Sequence, residues 1–325
     1  MSQTIDEAQW RRHALQNRLH TAVLLAVMAA FLGLLGWLIA GDTGLVLLLL
    51  GGALLVLFSP ALSPRLVMRL YRAQPLPQAQ FPELHQALSL LSERAGLPAR
   101  PVLFYVPSTM VNAFAVGRPQ EAAIGVTDGL LRNLNLREAI GVLAHEVSHI
   151  RSNDMWVMGL ADLFSRLTSA LSLFGQLLLL INLPLLLWAP VSINWFAIGL
   201  LVFAPTLSAL AQLGLSRTRE YDADLNAARL TGDPDALASA LRKIEQIQGA
   251  WLERVFLPGR RVPEPSLLRT HPPTEERVRR LMELKKRETP PWQRLPFDAE
   301  RVSNHLGTLP ARRHAPRWKW TGLWY

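Results

Sequence analysis

The chain has 325 residues, half of them hydrophobic and 18% charged, with a formal net charge of +9 and no cysteine. The charged share lies below the ~25% usual for soluble domains, and the length allows two structural parts. The lack of cysteine excludes disulfides, thiolate metal ligands and a cysteine nucleophile. No nucleic-acid-binding module accompanies the positive charge, so no nucleic-acid partner is predicted.

The first apolar block follows a polar cytoplasmic N-terminal segment, residues 1–20. Residues 21–40 carry no charge, and twenty helical residues span roughly 30 Å of hydrocarbon. The turn Gly41-Asp42-Thr43 separates this run from a second apolar run, 44–59. The pattern predicts a transmembrane helical hairpin over residues 21–63, with a buried hairpin in a soluble core as the alternative. Arginines flank both outer ends, so the positive-inside rule places the N-terminus and the following chain in the cytoplasm.

Residues 64–166 are predicted to form the first part of a cytoplasmic catalytic domain. Three short apolar runs within it, 102–106, 110–116 and 122–126, are separated by turns that contain proline or glycine. Such runs are typical of strands, and they predict a small β-sheet ahead of a long helix.

One edge of this sheet is assigned to the second run, at Asn112, Ala113 and Phe114. An exposed strand edge can bind an extended polypeptide through backbone hydrogen bonds. These three residues are therefore candidate substrate contacts. The alternative is an ordinary strand with Phe114 in the core.

An H-E-x-x-H sequence lies within Leu143–Ile150, in a run from 142 to 158 that contains no glycine or proline. Residues four apart share one face of a helix, so His145 and His149 can direct two imidazoles at one ion. Glu146 is then placed to accept a proton from water, as in a zinc peptidase. The alternative is a chance match with solvated side chains, since three fixed letters are only moderately specific.

The second apolar block has no charged residue over the fifty positions 167–216. It predicts two further spans within residues 167–215, at about 171–187 and 195–213, joined by a turn at 189–194. The alternative is one span followed by an interfacial helix or a helix packed on the catalytic domain.

A charged segment, Ser216–Asp224, follows the last apolar run. It begins the second catalytic part, residues 216–289. A zinc site with two histidines needs a third protein ligand and an open fourth position for water. Glu220 can supply that ligand, and Asp224, on the same helix face, can accept a hydrogen bond from a ligand histidine. A solvated patch at a membrane interface is the alternative.

Several motifs beside H-E-x-x-H resemble those of the HtpX-like membrane-embedded zinc metallopeptidases. Their order and spacing extend from the first predicted span to about Leu284, and the catalytic core is also similar to that of the CAAX prenyl proteases, which carry more spans. The motifs are Asn112–Ala115, Thr127–Leu131, Arg151–Asp154, Ser216–Asp224, Ala227-Ala228 and His271–Arg277.

The resemblance implies a multi-pass endopeptidase of the bacterial inner membrane, with its N-terminus and catalytic domain in the cytoplasm. It implies cleavage of damaged or misfolded membrane proteins, in membrane protein quality control and stress response. The fold expected is a mainly α membrane protein with four transmembrane helices and a cytoplasmic α+β zincin-like domain containing a small β-sheet. The alternative functions are a prenyl-protein processing protease and a catalytically silent membrane scaffold.

The predicted chemistry uses one Zn²⁺ per chain, bound by His145, His149 and Glu220. Water fills the fourth position, and Glu146 passes its proton to the leaving amine. The partners expected are the lipid bilayer and polypeptide substrates.

Two residues near the C-terminus are weaker candidates for substrate or transition-state contacts. The resemblance permits His271 to contact the substrate or the oxyanion, and a purely local role in its proline-rich loop is the alternative. Arg277 either contacts the site or pairs with glutamates on its own helix. The tail, residues 290–325, interleaves basic and aromatic residues, which suit a headgroup region or packing on the domain more than stacking on bases.

Overall fold

The computed structural model describes residues 5–57, 63–188, 195–256 and 272–284. The chain divides into two compact units, each built from separated stretches of sequence. The first unit comprises Met1–Gln16, Ala61–Met155 and Arg219–Tyr325, and the second comprises Asn17–Pro60 and Trp156–Thr218.

Three helices among the described residues are long and apolar enough to cross a membrane. They are α1 (Glu7–Leu57), α6 (Asp154–Trp188) and α7 (Trp195–Thr231). Four crossings are predicted from the sequence. The counts differ because both runs of the first predicted hairpin fall within α1. The predicted turn 189–194 lies outside the described residues.

Helix α1 is broken where the sequence predicts a turn. Ala40 and Gly41 leave helical geometry, and Gly41 has φ 60° and ψ −147°, a conformation that glycine adopts without steric cost. The two arms then approach closely, because a Cβ on Gly44 would lie 2.2 Å from the carbonyl oxygen of Gly36. Small residues permit such backbone contact between helices in a membrane.

The second unit exposes many large apolar side chains, among them Val27 and Trp37 on α1, Leu180 on α6 and Phe203 on α7. Soluble proteins rarely expose such surfaces, so a lipid environment accounts for them. Polar groups lie between α6 and α7 instead: the Ser165 hydroxyl lies 3.0 Å from the Ser208 hydroxyl and donates to Gln212 Oε1 at 3.0 Å. Interhelical hydrogen bonds of this kind stabilise helix pairs in membranes.

A small mixed β-sheet lies in the first unit, as predicted. Its strands are β1 (Gln74–Pro75), β2 (Val102–Val106), β3 (Ala113–Arg118) and β4 (Glu121–Thr127), in the order β1-β2-β4-β3. β2 and β4 are parallel, and the other two pairs are antiparallel. The two-residue strand β1 has no counterpart in the prediction, because it is too short to show an alternating pattern.

Strand β3 is an edge of this sheet, and it begins later than predicted. The backbone N–H of Asn112 donates to the Thr127 hydroxyl at 3.0 Å, while the Asn112 carbonyl accepts from the Thr127 N–H at 3.1 Å. Asn112 is thereby bonded toward β4. Backbone groups alternate in direction along a strand, so those of Ala113 and Ala115 face away from β4.

The helices of the first unit surround α5 (Leu136–Arg151), which carries the H-E-x-x-H sequence. α5 contacts the sheet at β3 and packs against α3 and α8. Its residues Leu143, Ala144, Val147 and Ile150 are buried in the main core. The other helices that are confined to this unit are α2 (Pro64–Leu70), α3 (Pro82–Ala95), α4 (Asp128–Asn133), α8 (Pro234–Phe256) and α9 (Thr274–Glu283).

The N-terminal segment belongs to this unit and contacts its last described helix. The Asp6 N–H donates to the carbonyl oxygen of Leu284, just after α9, at 3.1 Å. Glu7 lies 3.3 Å from Arg229, whose guanidinium stacks over the Trp10 ring. The unit is therefore closed by contacts between distant parts of the chain.

Asn135 caps the helix that carries the motif, together with Glu138. The Asn135 side chain accepts from the Glu138 N–H at 2.9 Å, and Glu138 accepts from the Asn135 N–H at 2.9 Å, which is a capping box. Glu138 also accepts from Lys243 at 2.8 Å and from Ser239 at 2.6 Å. Burial favours a higher pKa for Glu138, but these hydrogen bonds outweigh it and leave the pKa below 4.5.

Glu138→Gln is expected to destabilise the protein by about 1–3 kcal/mol near pH 7, because it removes a charged hydrogen-bond acceptor from a buried position. A carboxylate with a lowered pKa stabilises the fold above pH 4.5, and this contribution is lost as the pH falls through its lowered folded-state value. Thermal unfolding in detergent should therefore separate wild type from variant at pH 7 and bring them together in acid. A constant difference at both pH values would contradict the assignment.

Candidate metal centre

Three side chains from two helices converge at the C-terminal half of α5. The Nε2 atoms of His145 and His149 lie 3.0 Å apart. Glu220, from α7, places Oε2 3.5 Å from the first of these nitrogens and Oε1 3.9 Å from the second. One potential ligand atom from each residue lies within 4.8 Å of the other two. The structure thus brings together the three residues predicted as metal ligands.

A carboxylate oxygen lies beside the Nδ1 atom of each histidine. Asp224 Oδ1 lies 3.0 Å from His145 Nδ1, and Asp154 Oδ2 lies 2.7 Å from His149 Nδ1. A carboxylate favours a proton on the nitrogen that faces it, so both Nε2 atoms present lone pairs toward each other. Two lone pairs 3.0 Å apart, with a carboxylate beside them, require a proton or a metal cation between them.

The charge around His145 shows the same requirement for a cation. Burial alone would lower its pKa, but Asp224 and Glu220 outweigh burial and raise the pKa of His145 to about 10. Without metal, the site therefore holds a proton near neutral pH. Two imidazoles and one carboxylate, in a chain without cysteine, form a donor set that suits zinc, so these residues fit the metal.

Glu146 lies beside this group, and it is 8% exposed. Burial is the main reason that its pKa is raised above the ordinary value, although the neighbouring histidines partly oppose the shift. Its carboxylate also accepts a hydrogen bond from the backbone N–H of Ala115, which faces away from β4. A carboxylate with a raised pKa is suited to accept a proton and return it.

Arg277, a candidate for contacts to the site, reaches it from α9. Its Nε and Nη2 atoms each donate to Asp224 at 2.7 Å, and Nη1 lies 3.2 Å from Glu220 Oε2. Arg277 is 7% exposed, and the charge of Asp224 raises its pKa despite the opposing effect of burial. The guanidinium thus contacts the candidate ligand and its neighbour. Any direct contact with substrate stays a prediction.

Three residues near His149 were not singled out by the sequence reasoning. Asp154 contacts His149 and accepts from Arg219 at 2.5 Å, and Arg219 also donates to Asp222 at 3.1 Å. The motifs Arg151–Asp154 and Ser216–Asp224 contain these residues. The position of Asp154, an acidic residue at the start of α6 a few residues after His149, could have indicated a contact with that histidine. Its other partner, Arg219, is distant in sequence and could not have been found in this way.

The candidate substrate contacts lie on or next to β3. Asn112 is exposed, and Ala113 and Phe114 are partly buried. Phe114 packs over Gly125 of β4, where a Cβ would lie 2.7 Å from its ring, and its ring centroid lies 5.0 Å from that of Tyr71. Ala113 packs against the main core. A role for these three residues in substrate binding stays a prediction, and His271 lies outside the described residues.

Comparison with known proteins gives consistent matches over most of the chain. The model of the family described as "Peptidase family M48" matches residues 78–285. A "Protease HtpX homolog" from Pyrococcus abyssi is 37% identical over 291 residues, covering 82% of this chain and 95% of the relative. A "Protease HtpX homolog" from Paraburkholderia phytofirmans is 34% identical over 281 residues, covering 82% of this chain and 97% of the relative.

A solved structure gives a weaker match. The crystal structure of S. mikatae Ste24p has a TM-score of 0.42 and 20% sequence identity, over 86% of this chain and 67% of that chain. This overlap is too low to establish a shared fold.

Proposed function

The chain belongs to peptidase family M48 and is a membrane zinc metalloprotease, and we propose that it cleaves misfolded or damaged membrane proteins within their polypeptide chains. The observation that supports its chemistry best is the convergence of two imidazole Nε2 atoms and the Glu220 carboxylate beside buried Glu146. No other group of metal-binding side chains of this kind occurs among the described residues.

His145, His149 and Glu220 are proposed to hold one zinc ion per chain. A bound zinc ion supplies Lewis-acid chemistry, which makes water nucleophilic near neutral pH and polarises a peptide carbonyl. Asp224 and Asp154 keep the ring protons of the two histidines on Nδ1, so that Nε2 remains available. Glu146 then takes the proton of the attacking water and delivers it to the leaving amine.

Strand β3 is proposed to bind the substrate as an added strand. The backbone groups of Ala113 and Ala115 face away from β4, and Ala115 already donates its N–H to Glu146. An extended polypeptide along this edge would pair with the remaining outward-facing backbone groups and place a carbonyl near the candidate base. Asn112 and Phe114 flank the edge and are proposed to contact neighbouring substrate residues.

The membrane arrangement is proposed to comprise four crossings, since the break at Gly41 divides α1 into two packed arms. An even number of crossings returns the chain to one side, and flanking arginines favour the cytoplasm of a bacterial inner membrane. In right-side-out vesicles of the inner membrane, a cysteine introduced at Asp42 should react with a membrane-impermeant thiol reagent. A cysteine introduced at Glu121 should react only after the vesicles are permeabilised. The reverse labelling pattern would contradict this orientation.

Metal removal tests the proposed chemistry directly. The purified protein is expected to contain about one zinc per chain by mass spectrometry, and a chelator should abolish cleavage of an unfolded membrane protein until zinc is restored. Cleavage should stop because the proposed chemistry needs the bound zinc ion to make water nucleophilic. Zinc-free protein, or cleavage that is insensitive to the chelator, would favour the scaffold alternative. Preferential cleavage of a farnesylated peptide would instead favour the prenyl-processing alternative.

A further inference from the structure

Arg219 is a buried charged residue that the proposed chemistry leaves without a role. It is 7% exposed and directly precedes Glu220 on α7. We propose that Arg219 is a positioning residue that orients His149 through Asp154, an inference that rests on the proposed zinc site. It therefore acts on a metal ligand without contacting the metal, the substrate or the attacking water.

The first step is the contact between Arg219 and Asp154. Arg219 donates to Asp154 Oδ1 at 2.5 Å, and Asp154 is 4% exposed. The other oxygen, Oδ2, lies 2.7 Å from His149 Nδ1. With one oxygen fixed by a cation, the carboxylate plane is fixed, and its second oxygen is held toward the imidazole.

The second step is the effect on the His149 ring. When Asp154 accepts the proton of Nδ1, the Nε2 atom keeps its lone pair and faces His145 Nε2. A carboxylate that could rotate would release Nδ1–H and allow the other tautomer, in which Nε2 carries the proton and cannot bind a metal. Arg219 thus maintains the tautomer and the direction of the ligand atom.

The third step is the anchoring of Arg219 itself. Its Nη2 atom donates to Asp222 Oδ2 at 3.1 Å, and Asn226 donates to the Asp222 carbonyl oxygen at 2.9 Å. One arginine between two carboxylates leaves a net negative charge beside the His149 ring. That charge favours an Nδ1–H donor on the side of the ring that faces Asp154.

Helix α7 consequently reaches both candidate histidine ligands. Asp224 contacts His145 directly, whereas Arg219 reaches His149 through Asp154. Glu220, between them in sequence, supplies its own carboxylate. Residues of a single helix therefore support or supply all three candidate ligands, and Arg219 supports the histidine nearest the end of α5.

The test measures zinc affinity in the full-length protein in detergent, by competition with a chromophoric chelator. Arg219→Gln is expected to weaken zinc binding by about 10- to 100-fold, the effect typical of residues that support metal ligands. Asp154→Asn should weaken it at least as much. The double variant should be no weaker than Asp154→Asn alone, because Arg219 acts through Asp154. The Co²⁺ absorption spectrum should change in the same variants, since it reports ligand geometry.

Asp128→Asn is the matched control, because it removes a 2.7 Å ion pair to Arg132 in α4, and its zinc affinity should equal that of wild type. Arg219→Lys keeps the positive charge but lacks the planar guanidinium group, so its zinc affinity should lie between those of wild type and Arg219→Gln. If Arg219→Gln does not fold, Arg219→Lys is measured in its place. The inference would be overturned if folded Arg219→Gln bound zinc as tightly as wild type. It would also be overturned if the loss of zinc affinity in the double variant equalled the product of the losses in the two single variants. Failure of wild type itself to bind zinc would instead contradict the proposed function.

Discussion

Replacement of Glu146 by glutamine is expected to abolish detectable cleavage, with a loss of about 10²- to 10⁴-fold in rate, while zinc content stays at the wild-type level. Glutamine has nearly the same shape as glutamate but cannot accept and return a proton. It can still accept the hydrogen bond from the Ala115 backbone that Glu146 accepts. The three candidate metal ligands, His145, His149 and Glu220, are left intact, so the change separates proton transfer from metal binding.

The measurement is a cleavage time course with purified protein, paired with metal analysis of the same sample. Glu245→Gln is the matched control, since Glu245 is an exposed residue on α8, and its rate should equal that of wild type. Wild-type cleavage by the zinc-loaded Glu146→Gln protein would show that another group accepts the proton. Loss of zinc from this variant would show that Glu146 supports the metal site instead.

Arg277→Met is expected to lower the free energy of unfolding of the metal-free protein by about 3–5 kcal/mol, because removing one member of a buried ion pair leaves uncompensated charge. Arg277 is bonded to Asp224 through two nitrogens and lies 3.2 Å from Glu220, so two buried carboxylates lose their neighbour. Zinc should restore part of the lost stability, since a dication beside Glu220 replaces some of the positive charge.

Denaturant titrations in detergent, with and without zinc, check this expectation. Arg280→Met provides the control on the same helix, because Arg280 stacks over Tyr221 and pairs with Glu276 at 3.4 Å near the surface. Its effect should stay below about 1 kcal/mol. Equal losses for the two variants would mean that α9 packing, and not the buried charge of Arg277, accounts for the result.

The ligand group could be predicted from the sequence because each of its two parts is a local pattern and a zinc site with two histidines needs a third ligand. His145 and His149 are one helical turn apart, and Glu220 and Asp224 repeat that spacing after the last apolar run. The turn at Gly41 could likewise be predicted, since turn preferences depend on a few neighbouring residues.

The supporting contacts could not be predicted in the same way. Asp154 meets Arg219 across 65 positions of sequence, and only the packing of α6 and α7 residues within one unit makes this contact. Arg277 was a candidate for contacts to the site, but its two bonds to Asp224 depend on where α9 docks. The late start of β3 depends on Thr127, a cross-strand partner that no local pattern identifies.

The division of the catalytic unit over three stretches of chain has a consequence for biosynthesis. The ribosome releases the histidine pair well before Glu220, and Glu220 well before Arg277. A nascent or truncated polypeptide therefore lacks one wall of the hydrolytic centre. Cleavage therefore requires that the chain has been synthesised at least as far as Glu220, long after the histidine pair has left the ribosome.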